Sequence, residues 1–203
     1  MKYLLATLAL LGLNACVNPA NPTPSGLTSS VTLHADRSFS APERECIQFS
    51  QDRWLDQAGA AVEVIYDSDY STLPDPLSPR NKLIKWDQGY PPPEKDGSQL
   101  LGQVWPSGGI HNKYNAPYVE MRLITPRLQN EAMCRLTVMH ELGHVLGVDH
   151  QEGKDSIMYP QVLPDRTQCL KKADLLAYCE VNDCSGVKLQ ACPSQEEVNA
   201  TGP

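Results

Sequence analysis

Hydrophobic and polar positions along this chain follow two periods, and the switches between them predict its elements. Val31-Thr32-Leu33 is a short first strand. From Ser40 the spacing lengthens: Cys46, Ile47, Trp54, Leu55 and Ala58 fall on one face of a helix. Ser40 and Glu43 stand at N-cap and N3, Pro42 sits in the first turn and Gly59 supplies the stop. Residues 61–66 return to a strand pattern, as do residues 82–87, with Ile84 and Trp86 on one side. Prolines from Pro74 to Pro79 make the interval between them a loop. Residues 101–106 and 118–123 are further strands, and Pro106 suits the first of these to a sheet edge. A second helix begins at N-cap Asn130 with Glu131 in its first turn, and Leu136, Met139 and Val145 face the sheet. A last helix covers about residues 167–179, and residues 180–203 form a polar tail tied by Cys184 or Cys192. No internal repeat occurs. The predicted class is α+β, with a twisted mixed sheet packed on three helices.

The first residues follow a different rule. Lys2 precedes an apolar run from Tyr3 to Leu13, broken by Thr7, which is too short to span a bilayer and reads as a signal peptide over residues 1–15. It ends Leu13-Asn14-Ala15-Cys16, which resembles a bacterial lipobox with an unusual Asn14. On that resemblance Cys16 is the lipidated N-terminus, and more than one acyl chain suffices for stable attachment. The alternative is an ordinary secretory signal with a chance cysteine near the cut. Residues 16–30 are rich in Pro, Asn, Ser and Thr and read as a flexible tether. The folded part is then expected over residues 31–180, with a C-terminal tail over 181–203. The expected location is the bacterial cell envelope, with the outer membrane favoured by Val17, or the extracellular space.

Composition narrows the partners. The chain has 203 residues, enough for one domain, with 41% hydrophobic and 20% charged residues. A net charge of -7 without any basic run argues against nucleic acid. Removing Cys16 leaves Cys46, Cys134, Cys169, Cys179, Cys184 and Cys192, an even set in an exported chain. That predicts up to three disulfides, whose pairing spacing alone does not choose. None forms a Cys-x-x-Cys pair, so a separate zinc ribbon is not expected.

The chemistry concentrates in His140-Glu141-Leu142-Gly143-His144-Val145-Leu146-Gly147-Val148-Asp149-His150. Residues four apart on a helix share a face, so His140 and His144 can aim at one point, with Glu141 beside them. Gly147, lacking Cβ, can end the helix with positive φ and let His150 return from a loop. Three neutral imidazoles leave one position of a tetrahedral zinc open, as catalysis requires.

This stretch resembles the zinc signature of the metzincin metallopeptidases. Ser156-Ile157-Met158-Tyr159-Pro160 resembles their Met-turn, with Met158 directly followed by Tyr-Pro as in the matrixin branch. Pro160 stands where other branches carry a zinc-ligating Tyr, so Tyr159 is not a ligand. Leu101-Gly102-Gln103-Val104 is similar to the matrixin edge strand that pairs with extended substrate. Ala173-Asp174-Leu175-Leu176 is similar to the matrixin C-terminal helix, whose Asp anchors the Met-turn; a solvated surface Asp is the other reading of Asp174. The resemblance implies a metzincin-like domain over residues 31–180, one catalytic zinc and a protein or peptide substrate. It departs from animal matrixins in two ways. His34 and His111 are too few for a structural zinc, and the propeptide cysteine switch is absent, with Cys46 a poor substitute. Calcium is left open. The activity implied is a zinc endopeptidase with Glu141 as general base. The rivals are a non-catalytic zinc-binding envelope lipoprotein, against which Glu141 argues, and an amidase acting on cell-wall peptides.

Overall fold

The computed structural model describes residues 29–70, 81–95, 98–106, 119–163 and 166–192. The expected signal peptide, Cys16, nearly all of the tether, the proline loop, His111 and the end of the tail lie outside the described residues.

The elements run β1 (Ser29–Asp36), α1 (Ala41–Ala58), β2 (Ala60–Ser68), β3 (Lys82–Lys85), β4 (Gly102–Pro106), β5 (Val119–Leu123), α2 (Glu131–Val145) and α3 (Lys172–Val181). The strands form one sheet in the order β2-β1-β3-β5-β4. Pairs β1–β2, β1–β3 and β3–β5 are parallel, and β4 alone runs antiparallel, on β5. This is the mixed sheet on three helices expected from the residue pattern.

Several boundaries moved. The first strand is eight residues long and takes in Ser29 and Ser30, the last two residues of the stretch read as tether. The second strand extends to Ser68, and the third stops at Lys85, although Trp86 N–H still donates to Leu123 O at 2.9 Å. The last helix starts at Lys172 and not near Thr167. The reason is local: Leu170 N–H donates to the Gln57 side chain at 2.9 Å, and Cys169 is bonded to Cys192. Those ties hold residues 169–171 off the helical path until Asp174 caps it by accepting from Lys171 N–H at 2.7 Å.

The first helix begins as its sequence dictates. Glu43 Oε2 accepts from Ser40 N–H at 2.6 Å, half of a capping box. Gly59 ends the helix at φ 66°, and its N–H returns to Leu55 O at 2.9 Å. Trp54, fully buried, donates its indole N–H to Met139 O at 2.9 Å, and Ser50 donates to Arg135 O at 3.2 Å. With the Cys46–Cys134 disulfide, these bonds lay α1 along α2. Leu136, Met139 and Val145 are buried in one core with Leu33, Leu83, Met121 and Leu123 from the sheet.

The other disulfides are Cys179–Cys184 and Cys169–Cys192, so both candidate tail cysteines are bonded. Gln57, at the end of α1, donates to Gln190 O at 2.7 Å, and Cys192 N–H donates to Leu170 O at 2.9 Å. The tail is thereby pinned beneath the helices as far as residue 192. No helix among the described residues is long and apolar enough to cross a membrane.

Candidate metal centre

The second helix carries the first two histidines because its start and end are both fixed. Asn130 Oδ1 accepts from Met133 N–H at 3.1 Å and caps its start. At its end Gly147 takes φ 86°, its N–H reaching His144 O at 3.0 Å while Val148 N–H reaches Gly143 O at 2.9 Å. Asn182, at the end of α3, donates its side-chain amide to Leu146 O at 3.0 Å, covering a carbonyl the helix leaves open. The chain therefore reverses at Gly147. Gln151 N–H donates to Met158 O at 2.8 Å, which lays the segment after the turn against residues 156–158.

That path brings His140, His144 and His150 together. His144 Nε2 lies 3.1 Å from His140 Nε2 and 3.2 Å from His150 Nε2. Their opposite nitrogens explain the orientation. His140 Nδ1 donates to Ile157 O at 2.8 Å and His144 Nδ1 to Val148 O at 2.8 Å. Each proton is thus spoken for at Nδ1, and Nε2 presents a lone pair. Lone pairs this close repel unless a cation sits between them. Tetrahedral zinc with bonds of about 2.0–2.1 Å sets its nitrogens about 3.3 Å apart. The donor set and its spacing fit a catalytic zinc held by His140, His144 and His150. Among the described residues, these three form the group able to hold a metal ion.

Burial sets the charge states. It pushes His140 down to about 3, helped by the neighbouring His144, and lowers His144 and His150 in the same direction. Neutral imidazole is the form a metal needs. Burial alone pushes Glu141 up to about 8. A divalent cation on the adjoining histidines works against that rise. Glu141 sits one residue along the helix from His140, under the edge strand β4.

Beneath the histidines lies the turn at residues 156–158. Met158 is fully buried against Gly143, where an added Cβ would meet Met158 Cε at 2.9 Å and Trp54 Cζ2 at 3.0 Å. Asp174, also fully buried, organises this turn. Its Oδ1 accepts from Met158 N–H at 3.0 Å and from the Ser156 hydroxyl, and its Oδ2 accepts from Ile157 N–H at 3.1 Å. Of the two readings of Asp174, the anchoring one holds and the solvated one does not. A single chain of contacts runs from Asp174 through residue 157 to His140.

The family model described as Matrixin matches residues 14–181. The chain belongs to the matrixin family. Among solved structures it is similar to metalloproteinase-II from Bacteroides fragilis, at 17% identity and a TM-score of 0.50. The match covers 76% of this chain and 53% of that one, so this matrixin spans about half the length of its solved neighbour. At that identity the likeness speaks for the fold. No curated protein matches the chain.

Several contributors to this matrixin's site were not legible in its sequence. The acceptors for His140 and His144 are backbone carbonyls of Ile157 and Val148, and any residue type offers a carbonyl. Asp149, the charged neighbour of His150, is not the acceptor for His144, although its charge raises both His144 and His150 against the burial. In the sequence Gly102 reads only as part of a strand motif, yet it lies against Glu141. Gly143 lies between the two helical histidines with no role legible in the sequence, and its missing side chain admits Met158.

Proposed function

We propose that this matrixin is a zinc-dependent endopeptidase. The observation that carries the reading is the convergence of the Nε2 atoms of His140, His144 and His150 beside the buried side chain of Glu141. A structural zinc site would need the histidines and not the acid. When bound at His140, His144 and His150, zinc supplies a Lewis acid that polarises the scissile carbonyl and acidifies water. Glu141 takes the proton from the attacking water and hands it to the leaving amine. The carbonyls of Ile157 and Val148 keep His140 and His144 in the tautomer and orientation that ligation needs. Strand β4, the antiparallel edge of the sheet among the described residues and next to Glu141, pairs with the extended backbone of a peptide. An open edge favours cleavage within a chain over removal of a terminal residue.

The test compares metal content with turnover in the same preparations. Glu141→Ala keeps its zinc and loses about 10^2–10^4-fold in turnover on a peptide library. His144→Ala loses both, because one of three protein ligands is gone. Met158→Leu, which changes packing and no ligand, is milder than either. Glu141→Ala cleaving as fast as wild type would refute the assigned base. A wild type that holds zinc and cleaves no peptide would move the zinc-binding lipoprotein ahead, and cleavage confined to cell-wall peptides would favour the amidase.

The proposal extends to placement. Leu13-Asn14-Ala15-Cys16 and the polar residues after it support a lipid on Cys16 and a domain tethered to the envelope. Wild type then labels with palmitate and partitions with membranes, whereas Cys16→Ser does neither; equal labelling of the two overturns the anchor.

A further inference from the structure

Glu141 is held by shape. Its carboxylate is buried, and among the described residues no hydrogen bond holds it. The wall facing it is Gly102, the first residue of β4 and itself buried. In the β4–β5 register Gly102 pairs with Leu123 and Val104 with Met121. Leu123 and Met121 are buried in the core, so Gly102 belongs to the sheet face that α2 covers.

Backbone conformation does not call for a glycine there. Gly102 is extended strand, outside the positive-φ set of Gly59, Gly89, Gly147 and Gly186. A strand-interior glycine weakens a strand, and it commonly marks close approach by another group. The approaching group is Glu141: a Cβ at position 102 would stand 2.8 Å from Glu141 Cγ, 2.9 Å from Oε1 and 3.0 Å from Cδ. Carbon atoms in good contact are about 3.5–4.0 Å apart. The space of one missing methyl group is therefore filled by the Glu141 side chain.

We propose that Gly102 is a positioning residue for Glu141, the bare backbone of β4 setting where the carboxylate stands. This rests on Glu141 being the base, as proposed above. The strand that takes the substrate backbone then also locates the base, so a single element sets the spacing between them. To restore normal contact, a methyl group at position 102 displaces Glu141 Cγ by about 0.7 Å and the carboxylate carbon by about 0.5 Å. Misplacement by about 1 Å can cost about 10^2-fold in rate.

The test is a double-mutant cycle of Gly102→Ala and Glu141→Ala in the full zinc-loaded protein, on a peptide that wild type cleaves. Gly102→Ala should keep its zinc, its melting temperature and its KM while kcat falls about 10–10^2-fold. Added to Glu141→Ala, it should cost nothing further. A crystal structure of Gly102→Ala should show the carboxylate displaced with the three histidines in place. Unchanged kcat, an equal loss in both backgrounds, or a loss that tracks missing zinc overturns the proposal. If Gly102→Ala does not fold, Gly102→Ala with Glu141→Asp, whose side chain is one methylene shorter, should restore folding; failure of that pair also overturns it. If wild type cleaves nothing, the peptidase reading fails, and the carboxylate position in the variant structure still decides the role of Gly102.

Discussion

Removing the Asp174 carboxylate tests how the core supports the metal centre. In Asp174→Ala, the N–H groups of Ile157 and Lys171 lose the acceptor they have, at 3.1 and 2.7 Å. Met158 N–H keeps a second acceptor, Ser156 Oγ, at 3.0 Å, and the Ser156 hydroxyl can turn. Two backbone donors are thus orphaned at a fully buried position. Each costs about 1–3 kcal/mol, so the loss is about 2–6 kcal/mol, centred near 4. Against a total stability of about 5–15 kcal/mol that is a large share. Asp174→Asn keeps one oxygen and turns an amide N–H toward the other donors, so about half the loss is expected. The effect should reach the metal, because the carbonyl of Ile157 accepts from His140 at 2.8 Å. Disturbing such a support typically costs about 10–100-fold in affinity. Urea unfolding of the metal-free protein with disulfides intact gives the first quantity, and chelator competition gives the second. A loss under about 1 kcal/mol with unchanged zinc affinity would refute the reasoning.

Three further outcomes follow from the same contacts. In metal-free protein the unfolded chain binds more protons than the folded one between the His140 value of about 3 and the ordinary 6.5, so stability rises with pH there, with His144 and His150 adding to it. Glu141 acts oppositely between 4.5 and about 8, so the melting temperature should peak where the windows overlap, and Glu141→Gln should remove the alkaline fall; a flat profile refutes this. Cys46→Ser with Cys134→Ser opens a bridge between residues 88 apart and should cost up to about 4–5 kcal/mol in denaturant unfolding; a loss below about 1 kcal/mol would show that hydrogen bonds already join the helices. Gly143→Ala should displace Met158 and destabilise by about 1–3 kcal/mol, read by calorimetry, while an unchanged melting temperature would mean the core yields there without strain.

By itself the sequence determined whatever is written in short-range spacing. Two histidines four apart, Gly147 after them and His150 beyond define a site because helix geometry and a positive-φ turn are local rules. The caps at Ser40, Asn130 and Gly59 were legible for the same reason, since each acts within one turn of its own helix. The even cysteine count announced disulfides but not their partners, because Cys46 meets Cys134 only when α1 lies along α2. The carbonyl of Ile157 that meets His140 and the tie of Gln57 to the tail were decided by tertiary structure alone, and tertiary structure chose between the two readings of Asp174. Backbone groups are identical at every residue, so sequence cannot mark which of them a distant side chain will meet. Gly102 shows the same limit most sharply. As a letter it is a weak strand former, and only the packing of β4 over α2 makes its missing side chain the place where Glu141 fits.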